Sequence, residues 1–336
     1  EMAKILTSLN MGSKNMEENK LYLEKQHAVY LDKVFEEKKL QLNKNMDFVA
    51  LTEKILNPAV TDYKVPDEIQ AELRPYQITG YKWLRTLAEN DLGGILADDM
   101  GLGKTLQSIV FIASFLLENK NQASKPHFLI VCPTSLTYNW LDEIENFAPF
   151  IKAIVVSGNP QERKEIIEKY QDYDVLITSY PLSRRDIGIF ESIEFHTVII
   201  DEAQFIKNDS SLNAKSVKRL LAKHRFALTG TPIENSLSEL WSIFDFIMPG
   251  FLHSHARFVE MYEKPILKDD KEALEDLHQH ISPFILRRMK KYVLTELPDK
   301  YETKILTDLT EEQKKIYLSY LENIRSEIHN ELSEGG

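Results

Sequence analysis

The chain has 336 residues, 43% of them hydrophobic and 28% charged, enough apolar material for one large core or two modest ones. A formal net charge of −11 and a pI near 5.4 exclude binding of nucleic acid by bulk basicity, so any such site has to be local. No run of 18 or more apolar residues occurs and the lysine-rich N-terminus lacks an apolar signal core, so neither membrane insertion nor secretion is indicated.

The single cysteine, Cys132, cannot form an intrachain disulfide, and within HFLIVCP it reads as a small buried hydrophobe. Glu1 is not an initiator methionine and the chain stops at Gly335 and Gly336, so a piece of a longer protein is expected.

In chain order, residues 14 to 56 contain neither Gly nor Pro. Val29, Leu31, Val34, Phe35 and Leu42 sit there among many Lys and Glu, at the spacing of a charged amphipathic helix or helix pair. Pro58 and Pro66 bracket a linker. From Leu73 to about residue 232, apolar runs alternate with charged helical segments: GGILAD (93 to 98), HFLIVCP (127 to 133), IKAIVVSG (151 to 158), DVLITSY (174 to 180), HTVIIDE (196 to 202) and RFALTGT (225 to 231). Continuous Val/Ile/Leu runs suit strands buried on both faces, and the helices between them suit right-handed crossovers. The pattern predicts an α/β fold with a parallel sheet, and polar groups just past each run are where a ligand is expected. Residues 238 to 298 read as mainly helical, and a further helix opens with Thr310 and Gln313 at capping-box spacing, with Tyr317, Leu321, Ile324 and Ile328 on one face.

Two stretches carry chemistry. In ADDMGLGKT, Gly101 and Gly103 let the backbone fold around phosphate oxygens, Lys104 reaches β and γ phosphates, and Thr105 offers a hydroxyl to Mg²⁺ at a helix N-terminus. Asp98 stands where such a loop usually opens with glycine, so a chance strand-turn-helix remains an alternative. In VIIDEAQ a buried run delivers Asp201 and Glu202 to its polar end. Asp201 would hold Mg²⁺ directly or through water, and Glu202 would orient and deprotonate an attacking water. Together they point to nucleotide hydrolysis, although two acidic residues can also simply begin a loop.

The order of motifs resembles superfamily-two helicase-like motors, in particular the SWI/SNF-type double-stranded DNA translocases. The matching pieces are LRPYQITGYKWL (73 to 84), ADDMGLGKT, LIVCPTSLTYNW (129 to 140), LITSY (176 to 180), IIDEAQFIKN (199 to 208), ALTGTPIEN (227 to 235), ELWSIFDFIMPG (239 to 250) and FILRRMKKYVLTELPDK (284 to 300). An acidic pair before MGLGKT is common in that branch; DEAQ and LPDK depart slightly from its usual wording.

The resemblance implies a RecA-like P-loop fold with a first ATPase lobe over 66 to 250 and a helical protrusion and inter-lobe linker over 251 to 336; the amphipathic stretch before it is expected to be a helical extension over 1 to 65. It implies ATP and Mg²⁺ as cofactors, with Asp98, Met100, Gly101, Leu102, Gly103, Lys104 and Thr105 around the nucleotide and Gln77 on the adenine edge. Gln204 and the TGTP segment Thr229, Gly230, Thr231 and Pro232 would couple the nucleotide to lobe closure. Thr134, Ser135, Thr178, Ser179, Lys207 and Asn208 would contact the backbone of duplex DNA, although bare hydroxyls at such positions also serve as turn and cap residues. Arg287 and Arg288 open the basic cluster RRMKK, which in isolation reads as a solvated helix face. The pairs His253/His255 and His278/His280 lack a third ligand at metal spacing.

By the same resemblance a second lobe closes the site with arginines from a late glutamine-and-arginine-rich motif, and no such segment occurs in this sequence. The segment beyond Lys300 is shorter than a compact domain, which takes at least about 50 residues. The expectation is a first lobe whose hydrolysis requires that second lobe and which alone turns ATP over weakly. An RNA-stimulated helicase and a nucleotide-dependent binding scaffold are the competing readings. DNA-bound proteins are the open class of target, no membrane partner is expected, and the compartment is the cytoplasm and nucleoid in a bacterium or the nucleus in a eukaryote.

Overall fold

The computed structural model describes residues 16–17, 20–21, 24–39, 43–120, 125–231, 236–293 and 307–334. The chain divides into two compact units, 1–293 and 294–336.

The first unit begins with a short antiparallel ribbon, β1 (Met16–Glu17) and β2 (Lys20–Leu21), which the helical expectation for this region did not include. Two helices come next, α1 (Ala28–Glu37) and α2 (Met46–Leu56). Val29, Tyr30 and Val34 of α1 are buried, as the amphipathic spacing requires; Leu42 lies outside the described residues.

The core is a sheet of seven parallel strands in the order β5-β6-β4-β7-β8-β3-β9. These are β3 (Gly94–Leu96), β4 (Phe128–Cys132), β5 (Ala153–Val155), β6 (Val175–Ser179), β7 (Glu194–Ile200), β8 (Leu221–Leu228) and β9 (Ile285–Leu286). Six fall on the six apolar runs, and every residue of β3, β4 and β6 is buried, so the runs are continuous because both faces are covered. The chain steps from β3 to β4 to β5 in one direction and returns through β6, β7 and β8. Right-handed crossovers therefore put α4 (Lys104–Glu118) and α5 (Thr137–Phe147) on one face and α6 (Pro160–Glu168), α7 (Tyr180–Arg185) and α8 (Leu212–Lys218) on the other. Packing agrees: α3 (Pro75–Glu89) lies on α4 and α4 on α5, while α7 packs on α8 and α8 on α9 (Leu237–Ile247).

A seventh strand interrupts the mainly helical stretch expected over 238 to 298. Beyond α10 (Lys271–Ile281), Ile285 and Leu286 pair with Ile95 and Leu96. A two-residue strand has no periodicity to detect; its place is fixed by its neighbour. Along α10, Tyr30 donates to Asp276 Oδ1 at 2.7 Å and Gln279 donates to Glu37 at 2.8 Å, which fastens α1 to it.

The second unit contains α11 (Glu311–Glu334), opened by the expected capping box: Thr310 N–H donates to Gln313 Oε1 at 3.0 Å and Gln313 N–H to Thr310 Oγ1 at 3.3 Å.

Candidate functional site

All seven strands end at the same edge, and the segments that follow β3, β4 and β7 meet there. After β3 the chain turns through Gly101 (φ +80°) and Gly103 (φ +77°), left-handed conformations that a Cβ disfavours. Gly103 caps α4, so the unsatisfied N–H groups of the first turn open toward the loop. Across from the loop, β7 ends at Ile200 and delivers Asp201 and Glu202. The two segments enclose a cavity of about 340 Å³ lined by Met100, Gly101, Gly103, Lys104 and Thr105, by Asp201 and Glu202, and by Leu136, Asn139, Trp140 and Glu143. The four residues expected to carry chemistry, Lys104, Thr105, Asp201 and Glu202, thus share one cavity.

Asp201 is held from three sides. Trp140 Nε1 donates to Oδ2 at 2.9 Å, Glu202 N–H donates to Oδ1 at 2.8 Å, and the Tyr180 hydroxyl donates to its carbonyl at 2.8 Å. Burial pushes the Asp201 carboxyl above its usual range, with the Trp140 bond opposing, and burial also raises Glu143. Lys104 is pushed down by burial, while Asp201, Glu202, Asp98 and Asp99 oppose the shift. Its Nζ donates to the Asp98 carbonyl at 2.7 Å. Hydroxyl and carboxylate oxygens around a desolvated aspartate suit a hard dication that keeps several waters. Among the described residues no group of three or more His, Cys, Asp or Glu forms a complete protein cage, as such a partly hydrated ion requires none.

Glu202 itself is strained. Its φ of 52° and ψ of 60° are left-handed in a residue that carries a Cβ, at a cost of about 1 to 3 kcal/mol. The strain accompanies a polar chain: Gln204 Nε2 donates to Glu202 Oε2 at 2.8 Å, Thr229 Oγ1 donates to Gln204 Oε1 at 3.3 Å, and Thr231 N–H donates to Thr229 Oγ1 at 3.1 Å. Gln204, Thr229 and Thr231, expected to act together, stand in one continuous relay that includes the Gly230 turn. Pro232 lies outside the described residues.

Other expected residues are placed differently. Asp98 is fully buried behind the loop, bonded to Arg288 and Gln107, and does not line the cavity. Leu102 is buried as well. Gln77 faces protein: its Oε1 accepts from Arg74 N–H at 2.9 Å and its Nε2 donates to the Leu102 carbonyl at 3.3 Å. Of the nucleic-acid set, Thr134, Ser135 and Asn208 are exposed. Thr178 and Ser179 are buried, and Ser179 caps the N-terminus of α7, so neither hydroxyl lies at the surface. Lys207 is 8% exposed and lies 3.3 Å from Glu239, a buried ion pair rather than a surface cation. Arg288 likewise is on no solvated helix face: it comes just after β9, and its side chain is 13% exposed.

No sequence motif gives Trp140, Tyr180, Glu143, Asn139, Gln107 or Arg288 a place at this site. Only the first two leave a signal in the sequence, since a buried aromatic with a polar tip needs a partner.

Residues 76–335 match the SNF2-related domain family, and residues 1–66 match the family described as bacterial SNF2 helicase associated. The TATA-binding protein-associated factor MOT1 of Saccharomyces cerevisiae is 39% identical over 85% of this chain and 16% of its own length. An uncharacterized ATP-dependent helicase of Mycoplasma pneumoniae is 41% identical over 94% of this chain and 30% of its own. The chain thus spans less than a third of these relatives. Among solved structures, the Sulfolobus solfataricus SWI2/SNF2 ATPase core in complex with dsDNA superposes with a TM-score of 0.63 at 41% identity, over 80% of this chain and 56% of that one. A parallel sheet carrying MGLGKT opposite DEAQ, and a family match running from Tyr76 almost to the last residue, lead to one conclusion: this chain belongs to the SNF2-related domain family.

Proposed function

We propose that the chain is the first RecA-like lobe of an ATP-driven motor that tracks along duplex DNA. The observation that carries the reading is the meeting of Lys104 and Thr105 with Asp201 and Glu202 around one cavity of about 340 Å³. The loop amides and the first turn of α4 cradle the phosphates. Lys104 exchanges the Asp98 carbonyl for β and γ phosphate oxygens, and Glu202 takes the proton of the attacking water. Thr105 and Asp201 are the groups that would hold Mg²⁺, which when bound neutralises phosphate charge. Gln77 is assigned to the adenine edge, exchanging its bond to Leu102. Gln204, Thr229 and Thr231 carry the state of Glu202 toward the neighbouring strand ends.

Exposed Thr134, Ser135 and Asn208 are assigned to DNA phosphates, contacts that position without reading sequence. The Sulfolobus core solved with dsDNA supports that part. This chain covers 56% of that core, which supports a second lobe as the source of the remaining catalytic groups. Residues 66 to 250, completed by β9, are assigned to the lobe, 1 to 65 to a helical extension, and the rest of 251 to 336 to a protrusion and linker. No described helix is long and apolar enough to cross a membrane.

The test is ATP turnover by the complete protein carrying Lys104→Ala or Glu202→Gln. A loss of about 10³-fold is expected for either. Undiminished turnover in either variant overturns the reading.

A further inference from the structure

Asp98 breaks the usual wording of a phosphate loop, and its surroundings give it a purpose. Its carboxylate is fully buried, and a buried charge requires a partner. Arg288, 190 positions later, supplies it: Nε donates to Oδ1 at 2.9 Å, Nη2 forms an ion pair with Oδ2, and the Arg288 backbone N–H adds a bond to Oδ1 at 3.1 Å. The carbonyl of the same Asp98 accepts the Lys104 ammonium at 2.7 Å. One residue therefore holds Arg288 by its side chain and the loop lysine by its main chain.

The surrounding contacts bind the loop further. Arg288 Nη2 donates to Gln107 Oε1 at 2.7 Å, and Gln107 Nε2 reaches Asp98 Oδ2, the Leu102 carbonyl and the Gly103 carbonyl, each at 3.3 Å. Arg288 also donates to the Tyr76 carbonyl at the start of α3. The backbone continues the pairing begun by β9: Asp99 N–H donates to the Arg288 carbonyl at 3.0 Å, and Lys290 N–H donates to Asp99 Oδ2 at 3.0 Å. Gly80 on α3 leaves the space, because a Cβ there would stand 2.7 Å from Arg288 Nη2. The chain at 288–290 cannot shift without moving Asp98 and Asp99.

We propose that Arg288 is a positioning residue for the phosphate loop, tying the loop's nucleotide-receptive shape to the stretch of chain that leaves the sheet at β9. This rests on the nucleotide reading above. The geometry distinguishes it from a bare stabilising pair, since every group Arg288 touches belongs to the loop or to a helix terminus beside it. A misplacement of the loop by an ångström is enough to weaken phosphate binding.

The experiment uses the complete protein and compares Arg288→Met, Arg288→Lys, the double variant Arg288→Met with Asp98→Leu, and Lys104→Ala. It reads ATP affinity by titration, KM and kcat separately, and the melting temperature. Arg288→Met is expected to raise Kd and KM for ATP about 10-fold, with a smaller change in kcat. Arg288→Lys should recover only part, because an ammonium lacks the planar fork. The double variant removes the buried charge and should recover melting temperature without recovering ATP affinity. Recovery of both, or ATP affinity unchanged in Arg288→Met, would reduce Arg288 to a structural pair and overturn the inference. ATP binding unaffected by Lys104→Ala would instead overturn the nucleotide reading itself.

Discussion

The two ends of the sheet contrast in what their hollows contain. At the amino ends of β4, β7 and β8 lies a hollow of about 990 Å³, bordered by Glu89, Glu118, His127, His196 and Lys223. At the carboxyl ends lies the cavity of about 340 Å³ around Lys104 and Asp201. The larger one is chemically quiet. Buried Arg85 pairs with Glu89 at 2.7 Å and Glu118 at 2.8 Å and stacks on Phe115, while His196 and His224 face each other at 5.0 Å. Its two central glutamates are already satisfied by Arg85. The smaller one gathers a lysine, a hydroxyl, two acidic residues and open helix N–H groups around a desolvated aspartate and a strained glutamate. Volume alone does not mark the working end of an α/β sheet; unsatisfied groups converging at strand termini do.

The contrast breaks first if activity ignores it. Lys104→Ala and Glu202→Gln should each cost about 10³-fold in turnover, whereas Lys223→Ala at the amino end should change turnover by less than about twofold. Comparable losses at both ends would erase the distinction. Next in size is Trp140→Phe, which keeps the ring packing but removes a bond to a buried carboxylate worth about 1.5 to 3 kcal/mol. A kcat about 10-fold lower is expected, and an unchanged kcat would make Trp140 a packing residue only.

The amino end should instead reveal itself in stability. Burial lowers His196 to about 3 and His224 to about 4, from an ordinary 6.5, with His224 adding to the shift of His196 and Lys223 adding to both. Both are therefore neutral when folded, while the unfolded chain takes up protons below 6.5. Their contribution is present above pH 6.5 and is lost as pH falls toward 4 and then 3. Urea midpoints should be lower at about pH 5 than at about pH 7, and His224→Leu should narrow the difference. Equal midpoints in the unmodified protein would contradict the burial account. The smallest effect is at Gly188, exposed in the short helix Ile187–Phe190, where a Cβ meets nothing within 4 Å. Gly188→Ala should stabilise by about 0.4 to 1 kcal/mol with turnover unaffected, and a fall in melting temperature would count against that local picture.

What could be read from the sequence divides along physical lines. Six strands are legible because burial makes the centre of each run apolar, on both faces in β3, β4 and β6, and the loop and DEAQ are legible because their chemistry is local. Lys104, Thr105, Asp201 and Glu202 needed no long-range information. Arg288 did: its partner Asp98 lies 190 positions away, and nothing in RRMKK distinguishes an arginine turned inward from one in water. The two-residue β9 was invisible for the same reason. Lys207, Thr178 and Ser179 were misplaced as surface groups, since which strand-end side chains the next helix covers depends on packing rather than on residue type.

The proposed motor is driven by ATP on duplex DNA. The most direct measurement is ATP hydrolysis by the complete protein with no nucleic acid, with linear duplex DNA and with duplex RNA. Strong stimulation by duplex DNA, lost in Glu202→Gln, is expected, with little stimulation by RNA. Stimulation by RNA alone would make it an RNA-dependent helicase, and ATP binding without stimulated turnover would make it a nucleotide-gated scaffold; either result contradicts the account.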